Sequence, residues 1–417
     1  MNRIFIIPIV ILLFIMLDWY CYGAIKTAFQ HSSIRLQKIA NIFYWNFTAI
    51  TLLVLVSMFW IDVERIPSIL RNFVISGIFG NLIIKIFLSV FLLIEDISRL
   101  LRWMVGKSIA VVQYTASTPI DITRSEFLSQ SALVVAALPA VAMGYGILKG
   151  AHDYKIRRMQ IPLPHLPSAF DGLKIVQISD VHAGSFFNKT AVMGGIEMIM
   201  NERPDVVFFT GDLVNNEAIE MKNWVNVFEK IKAPLGVFST LGNHDYGDYK
   251  QWESPLQKKR NIEDLIRIHK NMGWDILMNE HRLLKQGGEQ IAILGVENWG
   301  KGERWPKYGK LNLAHQNTQD AAVKLLLSHD PSHWDAQVRP LYSDIDVMFA
   351  GHTHGFQFGI EVGDFRWSPS QYVYKQWAGM YQNENQRLYV NRGFGYLGFP
   401  GRVGMPPEIS VFELKKA

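Results

Sequence analysis

Residues 39–61 run for 23 positions without a charged side chain. A helix needs about 20 mostly apolar residues to cross the hydrocarbon core of a bilayer, so this stretch has few other folds open to it. Residues 127–148 are equally uncharged, residues 4–17 continue past Asp18 toward Phe29, and residues 72–94 carry only Lys85. Residues 1–150 are therefore expected to be a four-span, α-helical membrane anchor. Asp18 and Lys85 are expected to face a bundle interior or snorkel. The first stretch lacks a charged leader beyond Arg3 and a small-residue cleavage site, so it reads as an anchor rather than a cleaved signal. Between the third and fourth stretches Ile97, Leu100, Leu101, Met104 and Val105 recur at helical spacing, with Arg99 and Arg102 among them. That pattern predicts a separate helix lying on the membrane surface.

Charge is divided along the chain. Residues 1–150 hold 12 Lys+Arg against 7 Asp+Glu, and the remainder holds 30 against 30. A surface that tracks nucleic-acid phosphates needs a basic excess, so no nucleic-acid partner is expected for the balanced half. The one cysteine, Cys21, lies in an apolar stretch. Any metal site must then use Asp, His, Asn or Glu rather than thiolate. The loops on the two sides of the spans carry seven Lys or Arg each, so the positive-inside rule gives no orientation.

Beyond Arg158 the texture changes. Pro162, Pro164 and Pro167 exclude a helix or a central strand. Residues 151–170 are read as a linker, with an edge strand as the alternative, and residues 171–417 as the second domain. There, short apolar runs at 173–178, 206–210, 237–240, 291–296, 324–327 and 346–350 predict buried strands. Stretches 190–200 and 262–272 predict helices, an alternation typical of layered α/β domains.

Five of these runs end in polar, metal-capable residues: Ser179-Asp180-Val181-His182, Gly211-Asp212, Gly242-Asn243-His244-Asp245, Ser328-His329-Asp330 and Gly351-His352-Thr353-His354. Taken singly, each fits a helix cap or a turn. Five strand ends in succession can converge on one site, because ligands of α/β sheets bind beyond the carboxyl ends of the strands. Hydrolysis of a phosphate ester needs an activated water and relief of charge on the phosphoryl oxygens. Two metals about 3.5–4 Å apart supply both. Imidazole and oxygen donors suit Mn, Fe or Zn, and a nearby His can protonate the leaving oxygen.

Asp-x-His, Gly-Asp, Gly-Asn-His-Asp, a lone His and Gly-His-x-His, in this order across residues 173–415, resemble the calcineurin-like metallophosphoesterase superfamily. The resemblance implies an α-β-β-α layered sandwich and two divalent ions. It implies Asp180, His182 and His354 around the first, Asn243, His329 and His352 around the second, and Asp212 bridging. It makes His244 the general acid, with Asp245 orienting its imidazole. Gln177–His182, Gly242–Tyr246, Asn391–Gly395 and Pro406–Ile409 resemble bacterial membrane-linked members related to a Bacillus secreted phosphoesterase and to chlamydial UDP-2,3-diacylglucosamine hydrolase. Two positions depart from that pattern. Phe356 stands where many members have a second Gly, and Asn215 where an acidic residue is common. Thr123-Arg124-Ser125-Glu126-Phe127-Leu128 resembles the branch's Arg-Arg export motif with its second Arg lost, which implies Arg124 inside and the catalytic half outside the cytoplasm.

The expected protein is a multi-pass protein of a bacterial inner membrane, hydrolysing a phosphate ester or pyrophosphate. One alternative is a cytoplasm-facing UDP-2,3-diacylglucosamine-type pyrophosphatase, and another is a metal-binding sensor or scaffold without turnover. The segment after Gly-His-Thr-His holds Phe356, Phe358, Phe365, Trp367, Tyr372, Tyr374, Trp377 and Tyr381. Such rings either fill a core beneath a loop or form a lipid-facing rim. In the second case Arg392 and Arg402 would pair the charge of a lipid-linked substrate.

Overall fold

The computed structural model describes residues 3–58, 60–61, 66–112, 126–302, 306–363 and 365–417. The chain divides into two compact units, Met1–Gly144 and Tyr145–Ala417. Thr123, Arg124 and Ser125 of the degenerate export motif lie outside the described residues.

Four helices follow one another: α1 (Arg3–Ala28), α2 (Ile34–Ser57), α3 (Ser68–Val112) and α4 (Glu126–Leu148). Each is long and apolar enough to cross a membrane. Ser33 starts α2 by accepting a hydrogen bond from the Leu36 amide. Helix α3 corrects the expected surface helix. Ile97–Val105 is not a separate element but continues one helix of 45 residues, about 67 Å long at 1.5 Å per residue. No Pro or Gly stands between Asn81 and Val105, so nothing in the sequence breaks the helix there. Inside the first unit, the two ionisable residues of the spans find each other. Lys85 pairs with Asp18, and both are buried. The Tyr44 hydroxyl donates to the Asp18 carbonyl at 2.8 Å. Leaving either charge of such a buried pair alone would cost roughly 3–5 kcal/mol, so the pair ties α1 to α3.

The second unit stacks two six-stranded sheets. The strands are β1 (Lys155–Leu163), β2 (Lys174–Ile178), β3 (Val206–Thr210), β4 (Val237–Thr240), β5 (Asp275–Ile276), β6 (Glu280–Gln286), β7 (Glu289–Gly295), β8 (Lys324–Leu327), β9 (Val347–Ala350), β10 (Ile360–Val362), β11 (Phe365–Trp367), β12 (Gly379–Asn383), β13 (Gln386–Val390) and β14 (Glu408–Lys416). One sheet has the order β1-β14-β2-β3-β4-β5, the other β12-β13-β9-β8-β7-β6, and β10-β11 is a hairpin. Between the sheets lie Ile175, Val206, Phe208, Ile293, Leu325, Phe349 and Phe412, all fully buried. A second core joins the first sheet to α5 (Lys189–Asn201), α6 (Val225–Phe228) and α7 (Pro255–Asn271). A third covers the outer face of the other sheet. The layers are therefore α-β-β-α, as expected.

Residues 155–163 are corrected from linker to edge strand. β1 pairs in parallel with β14, from Lys155↔Glu408 to Leu163↔Lys416. Pro162 is tolerated because an edge strand has one ladder to leave unmade. Ile161 and Leu163, with Leu166 and Phe170 beyond them, are buried between the sheets. The segment thus joins the core rather than hanging from it. β2, β3 and β4 run parallel, as do β7, β8 and β9. The carboxyl ends of β2, β3 and β4 lead into Asp180, Asp212 and Asn243, and those of β8 and β9 into His329 and His352.

Candidate metal centre

The loops that carry these residues are zipped together beyond the strands. Asp180 N donates to Gly211 O at 2.9 Å, His182 N to Asp212 O at 3.1 Å, and Gly351 N to His329 O at 2.9 Å. Phe394 N and Gly395 N, after β13, donate to Ser179 O and Asp180 O at 2.7 and 2.8 Å. Five site residues sit in the left-handed region: Asp180, His182, Asp212, His352 and His354, at φ between 49° and 73°. For residues other than Gly this costs of order 1–3 kcal/mol each and persists only where surrounding contacts enforce it. Two glycines make room for the arrangement. A Cβ on Gly242 would collide with the Asp212 carboxylate, and one on Gly351 with the Asp180 carboxylate.

Two donor clusters result: Asp180 with His182 and His354, and Asp212 with His329 and His352. In the first, His182 Nε2 lies 3.0 Å from His354 Nε2, which is 3.2 Å from Asp180 Oδ1. In the second, Asn243 Oδ1 lies 2.8 Å from His352 Nδ1 and 3.1 Å from His329 Nε2. Asp212, of the second cluster, also reaches toward the first. Its Oδ1 accepts the His244 amide at 2.8 Å. Its Oδ2 lies 3.1 Å from His329 Nε2 and 3.6 Å from His182 Nε2. One oxygen, not two, is thus left facing both clusters.

The outer atoms of these side chains fix which nitrogen is free. His329 Nδ1 donates to Thr210 O at 2.7 Å, which makes Nε2 the nitrogen turned inward. His352 Nε2 lies 2.6 Å from the Tyr374 hydroxyl, and donating there leaves Nδ1 inward. Asn243 Nδ2 donates to the Tyr249 hydroxyl at 2.8 Å, turning its carbonyl oxygen inward. Such outer partners orient metal-binding side chains. Arg402 Nη2 approaches His354 Nδ1 at 3.1 Å, which puts the ring proton on Nε2, among His182 and Asp180.

Electrostatics point the same way. Burial raises Asp212, but His329 and His244 beside it overcome this and hold it well below the usual carboxylate range. Burial also raises Asp180, and His354 reverses that. Burial lowers His329, yet the Asp212 carboxylate carries it up to about 10. Two buried carboxylates therefore draw positive charge into this place, and inward-turned imidazole and carbonyl donors surround it. That donor set fits divalent cations of the Mn, Fe or Zn type.

His244 is half-buried, and its ring stands between Tyr249 and His182 at centroid distances of 4.5 and 5.0 Å. Its Nδ1 is held by Asn215 O at 2.9 Å, which leaves Nε2 free. This corrects the role expected of Asp245. Its carboxylate accepts from the amides of Asp212, Leu213 and Gly242 at 2.8 Å and of Val214 at 3.2 Å. Asp245 ties the loop after β4 to the loop after β3, and the imidazole is oriented by Asn215 instead. Burial and the neighbouring Asp212 push Asp245 up to about 7, against the pull of the amides. Arg392 and Arg402 are corrected as well. Arg392 is buried against Glu408 and Glu361, at 2.6 and 3.1 Å. Arg402 is buried and donates to Gly395 O, Met405 O and His354 Nδ1. Neither guanidinium is available to a substrate. The aromatic segment divides: Phe356, Phe365 and Tyr372 are exposed, whereas Trp377 is buried with Ala378 and Met405.

Replacing Asp212 by Asn should strip both cations, read by elemental analysis of the purified chain; retention of both ions would show that Oδ2 does not hold them. Replacing Asp245 by Asn turns an acceptor oxygen into a donor facing amides. The expected result is a loss of about 1–3 kcal/mol of stability in thermal or denaturant unfolding.

Residues 173–356 match the model of the calcineurin-like phosphoesterase family, and residues 2–151 match that of a probable calcineurin-like phosphoesterase transmembrane domain. An uncharacterized metallophosphoesterase of Bacillus subtilis, YkuE, is 30% identical over 307 residues, covering 70% of this chain and 98% of the relative. A bovine transmembrane protein with metallophosphoesterase domain is 28% identical, covering 79% of this chain and 70% of its own length. Its zebrafish counterpart is 27% identical over 69% of this chain, which spans 62% of that relative. The chain belongs to the calcineurin-like metallophosphoesterases, with an amino-terminal four-helix phosphoesterase transmembrane domain.

Proposed function

We propose that the protein hydrolyses a phosphate ester at a two-metal centre held by Asp180, His182 and His354 on one side and Asn243, His329 and His352 on the other, with Asp212 shared. The observation that carries this reading is Asp212 Oδ2, turned toward both donor clusters. Two divalent ions bound there would supply Lewis acidity to the phosphoryl oxygens and lower the pKa of an attacking water. The remaining chemistry belongs to the chain. As water attacks phosphorus, the bond from phosphorus to the ester oxygen breaks and its electron pair stays on that oxygen. His244, pinned through Nδ1 by Asn215 O, has Nε2 free to deliver the proton that neutralises it. A site so pinned weighs against a sensor or scaffold that only binds metal, since binding alone needs no positioned acid.

The finer proposal is a lipid-linked phosphate as substrate. Its support is the membrane anchor and the exposed Phe356 and Tyr372, which lie in the segment joining the His354 loop to Tyr374. We further propose that the catalytic half faces away from the cytoplasm, on the sequence resemblance around Arg124.

Replacing His244 by Asn should leave metal content unchanged and lower turnover by roughly 100- to 10,000-fold, the usual range for a general acid or base. Mn-supplemented protein assayed in parallel on nucleotides, UDP-diacylglucosamine, a chromogenic phosphate ester and vesicle-embedded phospholipid tests the substrate class. Turnover on none of them, or full turnover by the variant, would contradict the reading. For orientation, an export-dependent phosphatase fused after Ala417 should be active and a fluorescent protein there dark. Bright fluorescence with no phosphatase activity would place the catalytic half in the cytoplasm.

A further inference from the structure

The hairpin β10-β11 has its polarity reversed. Its register pairs Ile360 with Trp367, Glu361 with Arg366, and Val362 with Phe365. Because side chains alternate across a strand, Ile360, Val362, Phe365 and Trp367 share one face, and Glu361 and Arg366 the other. In a soluble domain the apolar face would turn inward. Here the polar face does. Glu361 accepts from Arg157 at 2.6 Å and from buried Arg392 at 3.1 Å. Arg366 donates to Ala378 O at 2.8 Å, with its guanidinium over the rings of Trp377 and Tyr381. Ile360, Val362 and Phe365 are left 52%, 71% and 61% exposed. The Trp367 indole donates to the Tyr372 hydroxyl at 3.3 Å, which adds Tyr372 to the same apolar surface, 76% exposed. Glu361 and Arg366, the charged pair of the described strands, are spent on holding the hairpin to the domain.

The hairpin is also continuous with a membrane span. The end of α4 from Tyr145 onward belongs to the same compact unit as the two sheets. Gly146 O accepts the Arg402 amide at 3.1 Å, and Gly146 and Gly150 have no room for a Cβ against Arg402 O. The next residue, Val403, accepts the Gly359 amide at 2.9 Å and bridges to Phe358. Phe358 in turn packs on Phe399, with ring centroids 5.0 Å apart. Ile360 follows directly. Leu148, on α4, is 85% exposed. An unbroken set of contacts thus runs from the end of a membrane helix to the reversed hairpin.

We propose that the exposed face of β10-β11, with Tyr372, is a membrane-docking surface that inserts into the lipid interface. A large exposed apolar patch marks an interaction site. The occupant is the bilayer, because the surface adjoins the end of a span and, among the described residues, one face of the hairpin offers only aromatic and aliphatic side chains. Trp and Tyr at its margin suit the interface between head groups and chains. Docking would hold the loop of His352 and His354, from which the hairpin extends, at the lipid surface whatever phosphate the centre cleaves.

The test uses the full chain in nanodiscs of phosphatidylcholine and phosphatidylglycerol. Val362→Cys carries an environment-sensitive fluorophore, and exposed Lys285→Cys on β6 serves as control. The unsubstituted chain, whose Cys21 is buried, is labelled in parallel to set the background. Lipids brominated near the head-group end of their chains should reduce emission from position 362 to roughly half or less, the expectation for a side chain in the interface, and leave position 285 unchanged. Equal, weak quenching at both positions would overturn the proposal. So would a blue-shifted but unquenched label at 362, since that outcome would mean that protein, such as a second copy of the chain, covers the hairpin.

Discussion

The catalytic half is organised around one carboxylate. Asp212 is buried, and the His244 amide claims one of its oxygens. The other oxygen stands between His329 and His182. A buried anion is stable only when positive charge or donors surround it. Here the surroundings are imidazoles from three different loops and an amide from a fourth. Asp245 holds the loop of Asp212 from behind through three of its amides, and accepts a fourth from Gly242 in its own loop. Tyr249 and Tyr374 then set the facing atoms of Asn243 and His352. The left-handed backbone at Asp180, His182, Asp212, His352 and His354 is the cost of directing so many polar groups inward. Backbone hydrogen bonds between the loops offset it.

Much of this centre could be read from the sequence because each ligand-bearing motif is local. A buried strand announces itself by its apolar run, and the residue that follows it is fixed in place by chain connectivity. Asp180, Asp212, Asn243, His329 and His352 all came from that rule. The groups that orient them did not, because their partners are distant or are backbone atoms. Asp245 looked like the partner of its neighbour His244, yet its acceptors serve amides of residues 212–214 and 242. The carbonyl that does hold His244 belongs to Asn215, a position the family pattern marked only as a departure. Tyr374 stood among eight rings with nothing in the sequence to separate it from Trp377, which packs in a core.

The same division holds for the fold. The parallel strands β2, β3, β4, β8 and β9 were legible from composition. Residues 151–170 were read as a linker, with an edge strand as the alternative, because Pro162, Pro164 and Pro167 suggest irregular chain; the partner of β1, β14, lies some 250 residues away, from Lys155↔Glu408 onward. In the membrane half, span number followed from length and hydropathy, whereas the continuation of α3 through Val105 did not. Amphipathic spacing looks alike in a surface helix and in the extension of a span. The pairing of Lys85 with Asp18 was open in the sequence and is resolved by packing. The reversed hairpin shows the converse case: its residues looked like core or rim, and only the register of Glu361 with Arg366 reveals which face is outward.

A single oxygen of Asp212, Oδ2, is proposed to join the two metal positions. Electron paramagnetic resonance of the Mn-loaded protein reads this arrangement, because ions sharing a one-atom bridge are exchange-coupled. The expected result is a multiline spectrum from a coupled Mn pair that collapses in Asp212→Asn. An uncoupled six-line signal in the unsubstituted protein, at two Mn per chain, would contradict it.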